Sequence, residues 1–340
     1  MARRPTIRDV AARAGVHPGT ASRALNPALR GRIAEKTARK VRAAARELGY
    51  LPDPTARSLR TRRSGVVGVV VPDLTNPVLP PIVRGVEETL WGAGLACLLA
   101  DTDNDADREA VVVAELQARR CEGLIVATAT RTSATVRGLD GGDLPTVLVT
   151  RDIDGGSLPF VAADDASGVR ALVRHLVELG HVRIAHLTGP ETLSTTVARE
   201  TAFRAAIADL LAADRQPVVR HGASFTIDAG RELTRQFLGE RRAITAIVAG
   251  NDLMAIGSLE ALTAARLRCP QDVSVAGHND MPLVGKLQPP LTTVAFPQHA
   301  LGVRAAQVLL ARLAGEGQPT ERHLVPTELV VRGSTAPPPT

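Results

Sequence analysis

The sequence predicts an all-α head joined to an α/β body of two doubly wound parallel-sheet lobes, and three observations carry that class. Residues 1–63 hold 16 Lys+Arg against 4 Asp+Glu, whereas the rest of the chain holds 25 against 31, so a small basic piece precedes a larger, mildly acidic one. The basic piece carries apolar residues at helical spacing between capping signals. From Gly65 onward, short and nearly continuous apolar runs alternate with helical stretches, the pattern of strands buried on both faces and joined by crossover helices.

Composition agrees. The 340 residues suffice for two or three domains. Hydrophobic residues make up 44% of the chain and aromatics only 2%, so Val, Leu, Ile and Ala must build the core. Cys97, Cys121 and Cys269 are odd in number and dispersed, which argues against a disulfide framework or a metal cluster and fits a reducing cytosol. No apolar run reaches the roughly 20 residues that span a bilayer. "MARRPTIRDV" has no apolar stretch behind it, so it does not read as a signal peptide and a cytoplasmic protein is expected. A basic head on an acidic body points to a polyanionic partner.

The head opens on "PTIRDVAARAGVHPGTASRALNP", residues 5–27. Thr6 is an N-cap with Asp9 three residues on, a variant of the capping box. Ile7, Val10, Ala11 and Ala14 follow at helical spacing, and Gly15 supplies the positive backbone angle that ends the helix in a tight turn. Val16 tucks back toward the core. Pro18, after His17, suits the first turn of a second helix that runs to about Leu25 with Ala21, Ala24 and Leu25 inward. Two short helices around a Gly-containing turn make a helix-turn-helix, whose second helix is sized for the DNA major groove. A third helix over residues 34–48 buries Val41, Ala44, Ala45 and Leu48, turns Lys36, Arg39, Lys40, Arg42 and Arg46 mostly outward, and closes at Gly49. In "PDPTARSLRTRRSG", residues 52–65, Asp53 can cap and Pro54 can start a helix, but the segment is too short and too polar to hold one alone.

The run "TIRDVAARAGV…TASRALN…VRAAARELGYLPDPTARSL" resembles the DNA-binding head of the lactose-repressor/galactose-repressor (LacI/GalR) family of transcription factors. The resemblance implies a helix-turn-helix domain over 1–50, a hinge helix and linker over 51–63, and a two-lobed effector-binding and dimerisation domain over 64–335. It places His17, Pro18, Gly19 and Arg23 at the reading end of the recognition helix, with Arg23 able to pair bidentately with guanine. Thr6, Thr20, Ser22 and Asn26 are the phosphate contacts it implies. It also implies that residues 51–63 fold as a hinge helix on operator DNA beside their two-fold mate. There Ala56, Leu59 and Arg60 fall on one face, Leu59 wedges between base steps, and Arg57 and Arg60 hold phosphates or groove edges.

In the body, apolar runs at 65–71, 95–100, 123–127, 145–149, 183–187, 217–220, 245–250 and 273–277 read as strands. Helical stretches near 77–93, 105–120, 165–179, 199–213, 226–238 and 251–266 separate them. Small ligands bind such folds at the carboxyl ends of strands. The segments "VVVPDLTNPVLPPIVRGVE", "LVELGHVRIAHLTGP", "ARETAFRAAI", "NDLMAIG" and "ELVVRGSTAPP" are similar to the same family's body, whose fold is of periplasmic-binding-protein type. The resemblance implies crossings between lobes near 161–164, 290–296 and 320–325. It also implies an effector cleft holding Asn76, Thr150, Arg151, Thr195, Arg199, Phe225, Asn251, Asp252 and Asn279. Arg199 matches the family's clamp for hydroxyls or carboxylates, a role that suits a fork of donors. Three departures stand out: Val78 and Leu79 replace paired aromatics, Thr150 followed by Arg151 replaces an acid after the fourth strand, and Asn279 replaces another acid. The cleft is therefore expected to be less acidic and less aromatic than in sugar sensors, which gives weight to an anionic sugar derivative.

Other readings fail on spacing. "DTDNDAD", residues 101–107, resembles the start of a calcium loop, but Ala106 stands where the glycine and Val112 where the bidentate acid belong. Nucleophile elbow, Walker loop, HExxH and dinucleotide fingerprint are all missing, which argues against an enzyme. His175, His181 and His186 show no metal-ligand pattern. A solute-binding protein would share the body but not the basic head. The expectation is a sequence-specific DNA-binding regulator, most simply a repressor. It would bind a palindromic operator as a homodimer under a small-molecule effector, a sugar or sugar phosphate, with no cofactor or metal. The tail "GSTAPPPT" lacks leucine heptads, which favours a dimer over a tetramer.

Overall fold

The computed structural model describes residues 5–25, 32–51, 64–211, 217–240, 244–317 and 320–339. The chain divides into two compact units, Met1–Ser64 and Gly65–Thr340. Asn26 and residues 52–63, and with them the expected contacts Ala56, Arg57, Leu59 and Arg60, lie outside the described residues.

The first unit contains α1 (Ile7–Ala14), α2 (Pro18–Leu25) and α3 (Glu35–Glu47). The capping box forms: the Thr6 N–H donates to Asp9 Oδ2 at 2.7 Å and the Asp9 N–H to Thr6 Oγ1 at 3.4 Å. Gly15, at φ 66°, ends α1 while the Val16 N–H returns to the Ala11 carbonyl at 3.0 Å. Val10, Ala11, Ala21, Val41, Ala44 and Ala45 are the buried centre, and Ile7, Val16, Leu25, Leu48 and Tyr50 pack around it. Arg13 and Glu47 tie α1 to α3 at 2.6 Å.

The second unit contains two lobes. The first lobe begins with β1 (Val66–Val71), α4 (Leu79–Gly92), β2 (Ala96–Asp101), α5 (Ala106–Ala118), β3 (Gly123–Val126), α6 (Ala134–Leu139), β4 (Thr146–Val149) and β5 (Phe160–Ala163). The second holds α7 (Asp165–Glu178), β6 (Ile184–Thr188), α8 (Ser194–Leu210), β7 (Val218–His221), α9 (Ile227–Gly239), β8 (Ala246–Ala249), α10 (Asp252–Ala264), β9 (Ser274–Asn279) and β10 (Thr292–Ala295). The chain returns to the first lobe as α11 (Gln298–Leu313) and β11 (Arg322–Val325) and closes the second with β12 (Glu328–Val330). The sheets run β11-β5-β4-β3-β1-β2 and β12-β10-β9-β8-β6-β7, parallel except for the antiparallel β10–β12 pair.

Each sheet is covered on both faces, which explains the unbroken apolar runs. Val69 faces the core shared with Leu301 and Leu309 of α11, and its neighbour Val70 faces the opposite core with Leu124 and Leu148. β2 departs from this pattern: at the sheet edge, Leu98 and Leu99 remain 38% and 37% exposed.

Three features differ from the sequence reading. α8 starts at Ser194, five residues before the expected helix, because Thr and Ser compete locally for backbone bonds and mask a helix start. α11 was not marked by the strand-and-helix alternation, since it buries residues on several sides against α4, β3, β4 and β5. The lobe crossings fall at Asp164, at Phe296–Pro297 and at Pro326–Thr327; the third lies just beyond the expected 320–325 because β11 and β12 pair with different sheets. Thr327 Oγ1 donates to the Asp164 carbonyl at 3.0 Å, so the first and third crossings run side by side. Among the described residues, no helix is long and apolar enough to cross a membrane.

Candidate functional site

A cavity of about 590 Å³ opens where the carboxyl ends of the strands of the two lobes face each other. Asn76, Asn104, Glu109, Thr128, Ser133 and Arg151 supply polar wall from the first lobe, and Thr192, Ser224, Phe225 and Leu253 line it from the second.

The strand-end turns build the first wall. β4 ends in Thr150 at φ 62°, a costly conformation for a β-branched residue, and the Arg151 N–H closes a three-residue turn on the Val149 carbonyl at 2.7 Å. The turn delivers Arg151 to the cavity, where its Nη1 donates to Asn104 Oδ1 at 3.1 Å. Asp103 and Asn104 are themselves left-handed, at φ 52° and 55°, and the Asn104 N–H is anchored to the Pro72 carbonyl at 2.7 Å. Burial lowers the Arg151 guanidinium to about 10, against the opposing pull of Glu109 and Asp73, so it is charged at neutral pH. Glu109 is buried; it accepts hydrogen bonds from Thr128 Oγ1 and, at 2.8 Å, from Ser133 Oγ.

From the second lobe, the Phe225 ring lies against Gly189 and Gly250, where added Cβ atoms would stand 2.4 and 2.9 Å from it. Asn251 caps α10 by accepting from the Met254 N–H at 2.9 Å and holds Phe225 by donating to its carbonyl at 3.1 Å.

Of the expected effector residues, Asn76, Arg151 and Phe225 line the cavity. The remaining six are absent from its lining and sit in turns, helix starts or the packed interior. Thr150 shapes the turn. Thr195 sits half-buried in the first turn of α8. Asp252 is fully buried, with Thr293 Oγ1 and the Met281 N–H donating to it at 2.6 and 2.8 Å, and burial raises its carboxyl to about 7. Arg199 is buried too, donating to the Gly250 carbonyl at 2.6 Å and to Asn279 Oδ1 at 3.5 Å. Asp165 Oδ1 lies 3.1 Å from Arg199 Nη2 and 3.2 Å from His278 Nε2. Burial alone would raise the Asp165 carboxyl, but the Arg199 charge and the His278 side chain beside it outweigh burial and the net shift is downward, while burial and Arg199 lower His278 itself.

Sequence reasoning missed Asn104, Glu109, Thr128 and Ser133. The signal was present in "DTDNDAD": its Asp–Asn run favours left-handed turns, so it could have been read as a strand-end turn as well as a failed ion loop. The expected scarcity of acid is also corrected, since Asp73, Asp105, Asp107 and Glu109 all line the cavity.

A strap joins the lobes beside the cavity. Arg131 of the first lobe is held by Asp154 at 2.8 Å; its N–H donates to the Thr192 carbonyl at 2.8 Å and its Nη1 to the Glu191 carbonyl at 3.3 Å. The Asp152 N–H donates to Ser194 Oγ at 2.8 Å. Among the described residues, Glu191, Glu200 and His221 converge as metal-type donors, but His221 Nε2 is 2.7 Å from Glu200, which also binds Arg204.

In the first unit, Ser22 and Arg23 are exposed on α2 and Thr20 is half-buried beside them. Arg23 Nε rests on the Gly19 carbonyl at 3.1 Å. His17 caps α2: its Nδ1 accepts from the Gly19 N–H at 3.1 Å, which leaves Nε2 for other contacts. Thr6 Oγ1 donates to Asp9 Oδ2 at 2.7 Å. Lys36, Arg39, Lys40 and Arg46 face outward from α3, whereas Arg42 is half-buried and pairs with Glu35 at 2.6 Å.

Residues 6–53 match bacterial regulatory proteins of the lacI family, and residues 173–335 match a periplasmic binding protein-like domain. The chain is 35% identical over 341 residues to an HTH-type transcriptional regulator in the aml 5' region of Streptomyces limosus, covering 98% of this chain and 95% of that protein. It is 32% identical over 330 residues to the ribose operon repressor of Halalkalibacterium halodurans, covering 97% of each. A lac repressor dimer bound to operator and the anti-inducer ONPF superposes with a TM-score of 0.88 at 28% identity, over 98% of this chain and 100% of that one.

Proposed function

The chain belongs to the lacI family of bacterial regulatory proteins and is a DNA-binding transcriptional regulator; from that premise we propose that it is a cytoplasmic repressor whose operator affinity is set by a sugar in the cavity between its lobes. One observation carries the reading. A helix-turn-helix with Ser22 and Arg23 exposed on its second helix is encoded in the same chain as a body whose strand ends enclose a polar cavity.

A single helix-turn-helix buries little surface, so recognition of a palindromic operator requires a dimer. The edge strand β2, with Leu98 and Leu99 exposed, supports pairing with a second copy, since an uncovered apolar edge invites association. Thr6, Thr20, Ser22 and Asn26 position the head on phosphates while His17, Pro18, Gly19 and Arg23 face base edges. Ala56, Arg57, Leu59 and Arg60 lie outside the described residues, and the family resemblance supports a role for them as further DNA contacts between head and body. The effector acts by binding two lobe arrangements with different affinity. A ribose operon repressor among the relatives supports a sugar or sugar derivative.

The test is duplex binding. A high-affinity site is selected from random DNA with the full chain, and binding is then measured with and without residues 1–63 and against a panel of sugars. Loss of DNA binding on removing 1–63, with sugar binding kept, is expected. Retained duplex binding by the body, or a selected site indifferent to every bound sugar, overturns the reading.

A further inference from the structure

We propose that the cavity selects an uncharged polyhydroxylated ligand and rejects its phosphorylated or carboxylated counterpart, with Arg151 and Glu109 as the discriminating pair. The proposal rests on the preceding reading that the effector occupies this cavity.

Two left-handed turns meet in the wall, and at the β-branched Thr150 that conformation is strained. Thr150 at φ 62° delivers Arg151, and Asn104 at φ 55° receives it at 3.1 Å. Strain of this kind persists where the surrounding structure over-determines it, and it clusters at ligand clamps. Arg151 offers five N–H donors in a fixed fork. Among the described residues, Asn104 is the one side-chain partner it has. A half-buried guanidinium with most donors unspent asks for acceptors from a ligand.

The rest of the lining decides what kind of acceptor. Arg151 is the single cation among the lining residues, against the carboxylates of Asp73, Asp105, Asp107 and Glu109. Glu109 is 4% exposed, and its oxygens take hydroxyl donors from Thr128 and Ser133. A carboxylate has about four acceptor sites, so Glu109 retains capacity for further donors. An anionic ligand would satisfy Arg151 but bring a like charge toward the buried Glu109, where water screens poorly, with the half-buried Asp73 and the exposed Asp105 and Asp107 adding to the repulsion. A cationic ligand would meet Arg151 in the same way. A sugar hydroxyl both donates and accepts, so adjacent hydroxyls can answer Glu109 and Arg151 together without net charge. Phe225, Leu253 and Leu193 give the apolar surface on which a sugar ring face packs.

The experiment measures binding to the full chain by calorimetry, using matched sets: ribose with ribose 5-phosphate, glucose with glucose 6-phosphate, glucuronate and glucosamine, and the disaccharides maltose and cellobiose. The expected result is a neutral hit whose charged counterparts bind at least about tenfold more weakly. Arg151→Gln should weaken the neutral hit about tenfold or more, and Glu109→Gln should narrow the neutral-to-anionic ratio by a similar factor. Far-ultraviolet circular dichroism checks folding, and Asn104→Ala serves as a milder variant should Glu109→Gln misfold, with weaker neutral binding expected. Tighter binding of a phosphate, acid or amine, the absence of any neutral hit, or a neutral hit indifferent to Arg151→Gln overturns the proposal. Operator binding in the same samples separates the two claims. A neutral hit that depends on Arg151 but leaves DNA affinity unchanged keeps the selectivity and sinks only the regulatory reading.

Discussion

Arg199 and Asp165 form an ion pair at 3.1 Å with both side chains about nine-tenths buried, and Asp165 lies on α7 immediately after the first lobe crossing. The family resemblance casts Arg199 as an effector clamp. The structure has it holding the ends of β8 and β9 to α7. Removing one partner of a buried pair leaves an uncompensated charge, which costs about 3–5 kcal/mol. Asp165→Asn is therefore expected to lower the denaturation midpoint strongly, in urea melts followed by far-ultraviolet circular dichroism. A change within the scatter of surface variants would show that the pair is structurally idle.

His186 lies against Phe203 with ring centroids 5.0 Å apart, and its Nδ1 is 2.9 Å from the Val248 carbonyl. Burial drives it down from 6.5 to about 4. A depressed folded pKa means stability that is full above 6.5 and lost as pH falls toward 4, worth about 3 kcal/mol. Asp252 runs the other way: raised from 3.8 to about 7, it is fully favourable below 3.8 and loses stability as pH rises through 7. The two offset each other in the wild type. His186→Phe should leave the Asp252 slope exposed, so the variant is expected to gain stability relative to wild type as pH falls from 6.5 to 4. Parallel pH profiles for the two proteins would refute this.

Arg23 stands exposed on α2 with its Nε on the Gly19 carbonyl. Arg23→Ala is predicted to cost about 1–3 kcal/mol on the selected operator and to relax preference at one base pair per half-site. An equal loss on random duplex would reduce Arg23 to a phosphate contact.

The Arg131 strap holds the first lobe to the 190–194 loop. Arg131→Ala keeps the backbone bond to Thr192 but removes the side-chain bonds to Glu191 and Asp154, and should raise amide hydrogen exchange at Asp152, whose N–H is bonded across the lobes to Ser194, by several-fold, because local opening becomes cheaper. Unchanged exchange there would mean that the lobes are held by other contacts.

Leu59 lies outside the described residues, and its role comes from the family resemblance. If it wedges between base steps, Leu59→Ala weakens operator binding by about tenfold and reduces DNA bending while effector affinity stays constant. Wild-type bending in a circular-permutation gel assay would leave the segment a simple tether.

What the sequence determined by itself is the short-range part. The Thr6–Asp9 box, the left-handed Gly15 and the buried stripe of α3 are interactions between residues a few positions apart, so their chemistry is written in adjacent letters. The apolar runs of β1, β3, β4, β8 and β9 were legible for a similar reason: a strand covered on both faces can hardly be anything but apolar. Tertiary structure alone decided which polar groups face the cavity and which face the protein. Arg199 and Asp165 are 34 positions apart, Glu109 and Ser133 are 24, and Arg151 and Asn104 are 47. A fork of donors reads the same in sequence whether it will clamp a ligand or neutralise a buried carboxylate. Only the packing of α7 under α8, and the turn that carries Arg151 out past Thr150, assigns one arginine to the interior and the other to the cavity.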